Sequence, residues 1–211
     1  MTRIPRWLAR AALAPAALIF ACSGPELPVV GPPAPEAVAL KQSDLPGGLK
    51  QCAGSGPIDG YLQTIRTKDP DSYAQVSDAW TAFKSNGADS AAITSFTQNP
   101  AACTGTLGAG QGQSAASFVI RYKDSSQASA AFKRGIIGFP TPTAEQQTPG
   151  LTVGPATGLG NNSWVYDRTL NGRAAYVAFW QTGRYDILVF TADVDPKAAS
   201  QAVDSVNSRA R

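Results

Sequence analysis

Apolar residues recur along this chain with two different periods, and the change of period divides it. Behind Pro57, residues Ile58, Tyr61, Leu62 and Ile65 fall at i, i+3, i+4 and i+7, one face of a helix. Asp69-Pro70 then supplies a helix start: an acceptor side chain at the cap and a proline at the first helical position. Tyr73, Val76, Trp80 and Phe83 continue an apolar face until Asn86-Gly87 ends it. The same spacing predicts a third, shorter helix after Asp89, with Ile93 and Phe96 inward, ending before Pro100.

Past Gly108-Ala109-Gly110-Gln111-Gly112 the period drops to two. That glycine run precedes a strand and lacks a following lysine, so it reads as a connector and not as a phosphate loop. Phe118, Ile120 and Tyr122 form one face of a strand; Asp124 or Ser125 then caps a helix carrying Ala128, Ala131 and Phe132, closed by Gly135. An irregular Pro- and Gly-rich stretch runs from Gly138 to Asn161. Loops of that length in compact domains are often functional. Three strands follow, Ser163 to Leu170, Arg173 to Gln181 and Arg184 to Thr191. Asn171-Gly172, a strong type I′ hairpin signal, joins the first two, and Thr182-Gly183 joins the last two. Asp195-Pro196 starts a final helix with Ala199, Val203 and Val206 inward.

Two-residue turns fix which side chains share a face of this meander. One face gathers Trp164, Tyr166, Val177, Phe179, Leu188 and Phe190, with Arg168 and Asp186 among them. The other gathers Val165, Tyr176, Ala178, Trp180, Tyr185, Ile187 and Val189. Neither is polar enough to face water, so both need cover, or one is covered and the other carries a binding groove. The helices after Ser125 and Asp195 are expected on one face, with the N-terminal helices or the Gly/Pro loop on the other. The fold class is therefore α+β: an antiparallel sheet of a strand-helix unit, a three-stranded meander and a C-terminal helix behind an N-terminal helical block, packed as an α/β sandwich. The expected globular domain spans 39–211, with a helical cap over 39–106 and the sheet with its helices over 107–211.

The first 21 residues are of another kind. Arg3, Arg6 and Arg10 precede an uncharged, largely apolar run to Ala21, the layout of a secretory signal peptide. The run ends Ile19-Phe20-Ala21-Cys22 and resembles a bacterial lipobox, although Phe20 stands where a small residue is usual. That resemblance implies cleavage before Cys22 and its acylation; the alternative is a plain secretory signal with a coincidental cysteine. Pro25, Pro28, Pro32, Pro33 and Pro35 make residues 22–38 an extended tether. The expected location is thus outside the cytoplasm, held at a membrane by lipid.

Charge and chemistry narrow the function. The chain carries 18 Lys and Arg against 15 Asp and Glu, and loss of the leader's three arginines balances them. No basic stripe remains for nucleic acid. The sequence contains no histidine, which removes the usual general base and the commonest transition-metal ligand. No cofactor is indicated. Cys52 and Cys103, two thiols in an exported chain, are expected to form a disulfide. Asp167 and Asp186 fall on opposite faces of the meander, and no Ser-x-x-K motif occurs, so a catalytic role is not expected.

The segment Gly158 to Tyr166 (GLGNNSWVY) and the strand Trp180 to Phe190 (WQTGRYDILVF) resemble exported bacterial lipoproteins with PsbP-like or mycobacterial kinase sensor-type extracellular domains. The resemblance implies an α/β sandwich without shared catalysis and transfers no functional residue. It leaves three readings. The first is a non-catalytic binding or sensing module, with the 138–161 loop over Trp164, Tyr166, Trp180 and Tyr185 facing an apolar, glycan or peptide ligand, and Arg168 and Arg184 (with Arg173) as an anion site. The competing account of those rings is packed core. The second is an accessory subunit of an envelope protein complex, and the third a His-independent exported hydrolase. Mass spectrometry of membrane-extracted protein should find acyl groups on Cys22; a soluble secreted form with unmodified Cys22 would refute the anchor.

Overall fold

The computed structural model describes residues 31–99, 103, 112–143, 146, 148–170 and 172–211. The leader, Cys22 and the connector at 108–111 lie outside the described residues. Helices are α1 (Pro35–Val38), α2 (Ile58–Lys68), α3 (Pro70–Ser85), α4 (Ser125–Phe132) and α5 (Pro196–Ala210). Strands are β1 (Lys50–Gln51), β2 (Gly56–Pro57), β3 (Ala88–Thr97), β4 (Ser114–Tyr122), β5 (Leu151–Val153), β6 (Ser163–Leu170), β7 (Arg173–Thr182) and β8 (Tyr185–Ala192). They form one antiparallel sheet in the order β1-β3-β4-β8-β7-β6-β5, with β2 also paired to β3.

The sheet separates two apolar cores. One holds Val165, Ala178, Trp180, Tyr185, Ile187 and Val189 under Ala199, Ala202, Val203 and Val206 of α5. The other holds Trp164, Val177, Phe179, Leu188, Phe118 and Ile120 under side chains of α2, α3 and α4. The two faces of the meander are those that alternation in the sequence predicts. Their cover differs from expectation, because α4 and α5 lie on opposite faces. Two aromatic anchors account for this. Phe132 of α4 stacks on Phe179 at 4.7 Å between centroids. The Trp180 indole, one residue on and so pointing the other way, donates to Asn207 Oδ1 of α5 at 3.1 Å.

The segment after Asp89, expected as a short helix ending before Pro100, belongs to β3 (Ala88–Thr97), so the N-terminal half is not a separate helical cap. Ile93 and Phe96 were assigned to one helical face by their spacing of three, but an odd spacing in a strand sends them to opposite cores. The β-branched and aromatic content of Ile93-Thr94-Ser95-Phe96-Thr97 favours that outcome. In the last hairpin Thr182 pairs with Tyr185, so the turn is Gly183-Arg184 and not Thr182-Gly183. Moving a two-residue turn by one position shifts the pairing by two, which preserves every face assignment.

The helix caps follow the sequence. Asp69 accepts from the Ser72 N–H at 3.1 Å, Asp124 from the Gln127 N–H at 2.8 Å, and Asp195 from the Lys197 and Ala198 N–H groups. The stretch expected to run as tether to Val38 is packed over its last residues: Pro35 and Val38 are buried, and Ala39 is fully enclosed. The Leu40 N–H donates to Ser117 Oγ at 3.0 Å, while the Thr94 hydroxyl donates to the Leu40 carbonyl at 3.2 Å. Arg209 of α5 donates to the Val38 and Ala39 carbonyls at 3.2 and 3.0 Å and pairs with Asp44 at 2.6 Å.

Cys52 and Cys103 are disulfide-bonded, with Cα atoms 5.6 Å apart and a sequence separation of 51. Chain entropy for a loop of that size gives a stabilisation on the order of 4 kcal/mol. Replacing both cysteines by alanine is expected to lower unfolding free energy by about that amount in urea titrations; an unchanged midpoint would contradict it.

Candidate functional site

The 138–161 stretch is less featureless than its composition suggests. It contains β5, which pairs Leu151 with Tyr166 and Val153 with Trp164, and a 3-10 turn at Gly154–Thr157. Two glycines seat it against the rest of the molecule. Gly135 (φ 85°) ends α4 where any Cβ would lie 2.3 Å from the Phe139 carbonyl oxygen. Gly150 (φ 81°) passes so close to β6 that a Cβ would lie 2.1 Å from the Asp167 carbonyl oxygen. Only glycine permits either approach. Between them, Ile136 and Phe139 exchange both backbone hydrogen bonds, and the Thr141 hydroxyl donates to the Phe132 carbonyl.

The loop therefore arches over β6 and leaves a pocket of about 300 Å³. Its walls are Phe139, Pro140, Pro142 and Leu151 from the loop, Trp164, Tyr166 and Leu170 from β6, and the polar side chains Gln146 and Thr148. Phe139 and Trp164 approach to 6.2 Å between centroids. The Trp164 indole N–H is buried with no acceptor among the described residues, an unmet donor in an apolar wall. Arg168 lies over the Tyr166 ring at 4.7 Å from its centroid. A second concavity of about 320 Å³, lined by Arg134 to Pro140, shares Phe139 and Pro140 with the first.

Of the six residues picked from the sequence as a ligand surface, Trp164, Tyr166 and Arg168 come together on this face. Trp180 and Tyr185 do not; they are buried in the opposite core, at 0% and 2% exposure. The Tyr185 hydroxyl donates to the Pro33 carbonyl, and burial raises its pKa. Arg184 is engaged elsewhere, donating to the Tyr122 carbonyl at 2.8 Å and pairing with Asp89 at 3.4 Å. At Asp89 burial opposes ionisation, but hydrogen bonds from Ser90 and Arg121 and the charges of Arg121 and Arg184 outweigh it and hold the pKa low. Arg173 is paired with Asp193 at 2.8 Å. The anion site assembled from arginines 168, 173 and 184 is thus dispersed. Phe139 and Leu151 complete the pocket and were not singled out from the sequence; their signal is two large apolar side chains inside a Gly/Pro stretch.

Asp186 stands apart from the pocket. It projects to the same core as Leu188 and is 2% exposed, whereas Asp167 is exposed, so the two carboxylates share no surface. Burial pushes the Asp186 carboxyl well above the usual carboxylate range. The nearby Tyr122 phenol is also raised, first by burial and then by the Asp186 charge. Neither Asp186 Oδ1 nor the Tyr122 hydroxyl has a hydrogen-bond partner of good geometry among the described residues. Also among the described residues, no group of three His, Cys, Asp or Glu could hold a metal ion, and no helix is long and apolar enough to cross a membrane.

No protein-family model matches the chain, and no curated protein matches it. Among solved structures it is similar to the extracellular domain of PknH from Mycobacterium tuberculosis, at 13% identity and a TM-score of 0.38. That match covers 84% of this chain and 98% of that one. A likeness that loose transfers neither residues nor function.

The buried carboxyl generates a pH dependence of definite sign. Above the ordinary carboxylate pKa of about 4, the unfolded chain releases the proton that folded Asp186 keeps, so stability falls with rising pH up to the raised folded value. Asp186→Asn removes this contribution. The urea midpoint of the variant, relative to the parent, is expected to rise with pH from about pH 4 upward; a constant difference would contradict the assignment.

Proposed function

We propose that the protein is a non-catalytic binding module working outside the cytoplasm, and that its ligand site is the pocket that Phe139, Pro140, Pro142, Gln146, Thr148 and Leu151 form with β6. The pocket carries the reading. It is concave and walled mainly by aromatic, proline and leucine side chains, with a few polar groups at its edge. Its volume sits at the lower end of the ~300–1,000 Å³ typical of small-molecule sites. The aromatic rings Phe139, Trp164 and Tyr166 offer contact area to an apolar group.

The location rests on the leader that ends at Cys22 and agrees with the disulfide, a bond that persists in oxidising compartments. A lipid on Cys22 would moor the domain through the tether, with the packed chain starting near Pro33. The chemistry is retention, because the carboxylates and serines of the sheet do not converge on the pocket.

A neutral apolar fluorophore, N-phenyl-1-naphthylamine, tests the site. Its emission is expected to rise on binding, with transfer from Trp164 in the wall. Leu151→Arg, which places a charge at a half-buried wall position, is expected to weaken binding at least about tenfold while leaving the circular dichroism unchanged. Binding unaffected by Leu151→Arg and by Tyr166→Ala would remove the pocket from the function.

A further inference from the structure

The pocket does not end at Phe139. That side chain and Pro140 form a wall common to the apolar pocket and to the neighbouring concavity of about 320 Å³, which is lined by Arg134, Gly135, Ile136, Ile137 and Gly138. The two concavities are therefore adjacent, and they differ in chemistry. The first is apolar, with no ionised side chain among its lining residues. The second has Arg134 as its one ionisable lining residue.

Arg134 is exposed and has no ion-pair partner among the described residues, whereas Arg121, Arg173, Arg184 and Arg209 are each paired with an aspartate. No carboxylate is among the described residues lining either concavity. Arg134 follows the C-terminus of α4, where free carbonyls would repel an anion. Here the last two of those carbonyls are engaged: Ala131 O accepts from the Arg134 N–H at 2.9 Å, and Phe132 O accepts from the Gly135 N–H at 3.0 Å and from the Thr141 hydroxyl. The guanidinium, with Lys133 exposed beside it, sets the local charge.

We propose that the ligand is a small anionic amphiphile, its apolar part among Trp164, Tyr166 and Leu151 and its carboxylate or phosphate on Arg134, across the Phe139–Pro140 wall. This deepens the binding reading above and rests on it. The pairing follows from charge complementarity: a solvated guanidinium beside an apolar pocket favours a ligand that is apolar at one end and negative at the other. Arg168 belongs to the same face but is committed to the Tyr166 ring, so it is a weaker head-group partner.

Octanoate and 1-octanol share a chain and differ in charge, which makes them matched probes by calorimetry and by displacement of N-phenyl-1-naphthylamine. Octanoate is expected to bind the purified protein at least about tenfold more tightly than 1-octanol, from a charge-assisted hydrogen bond. Arg134→Gln should erase that difference by weakening octanoate alone, and added salt should do the same in the parent protein. Octyl phosphate is expected to follow octanoate. If acid and alcohol bind alike and Arg134→Gln changes neither, the head-group assignment falls while the pocket stands. A larger loss with Arg168→Gln than with Arg134→Gln would also overturn it. Failure of every octyl probe, together with failure of the neutral fluorophore, would sink the pocket reading itself.

Discussion

The rest of this structure depends on one constraint, a sheet that is apolar on both faces. Strands β7 and β8 leave no polar row for water: Val177, Phe179 and Leu188 fill one side, and Ala178, Trp180, Ile187 and Val189 the other. Exposing either face would leave a contiguous apolar patch larger than soluble proteins usually carry. Each face therefore has to find helices, and a single chain must supply two layers of cover around one sheet. Assigning α2, α3 and α4 to one face and α5 to the other meets that need with the elements available.

α5 alone does not cover its face. Its inward residues are small, Ala199, Ala202, Val203 and Val206, which lets the helix sit close to the sheet but leaves the margin near β3 and β4 uncovered. The segment Pro33 to Leu49 fills that margin, with Val38, Ala39, Leu40 and Leu49 in the same core. A buried irregular segment must have its backbone polar groups satisfied. Ser117, Thr94 and Arg209 do this, reaching the backbone of residues 38–40. Serine and threonine inside a strand of the core, which look like weak points in the sequence, are the partners of this crossing segment.

Those pairings also show what was legible in the sequence and what was not. Alternation in 163–190 gave both faces correctly because period two is insensitive to where a turn begins, provided the loop length holds; Gly183-Arg184 turned in place of Thr182-Gly183 without cost. The caps at Asp69, Asp124 and Asp195 were local chemistry and equally readable. Residues 88–97 were not. Apolar side chains spaced by three fit one side of a helix or two sides of a doubly buried strand, and only the neighbouring β4 decides between them. Trp180 and Tyr185 cannot join Trp164 and Tyr166 in one site, because alternation already sends the two pairs to opposite faces; what alternation leaves open is which pair the loop covers. That choice is made by Gly135 and Gly150, whose close approaches pin the loop to the end of α4 and to β6.

The two-sided cover also separates the entering segment from the pocket. The chain enters the domain on the face of Trp180 and Tyr185, where the Tyr185 hydroxyl and Arg209 hold residues 33–39. The pocket is built on the opposite face, from Trp164, Tyr166 and the loop. Residues 33–39 therefore lie on the face of the sheet opposite the pocket. Phe132 on Phe179 and Trp180 on Asn207 tie α4 and α5 to successive residues of β7, so a single strand holds the cover of both faces.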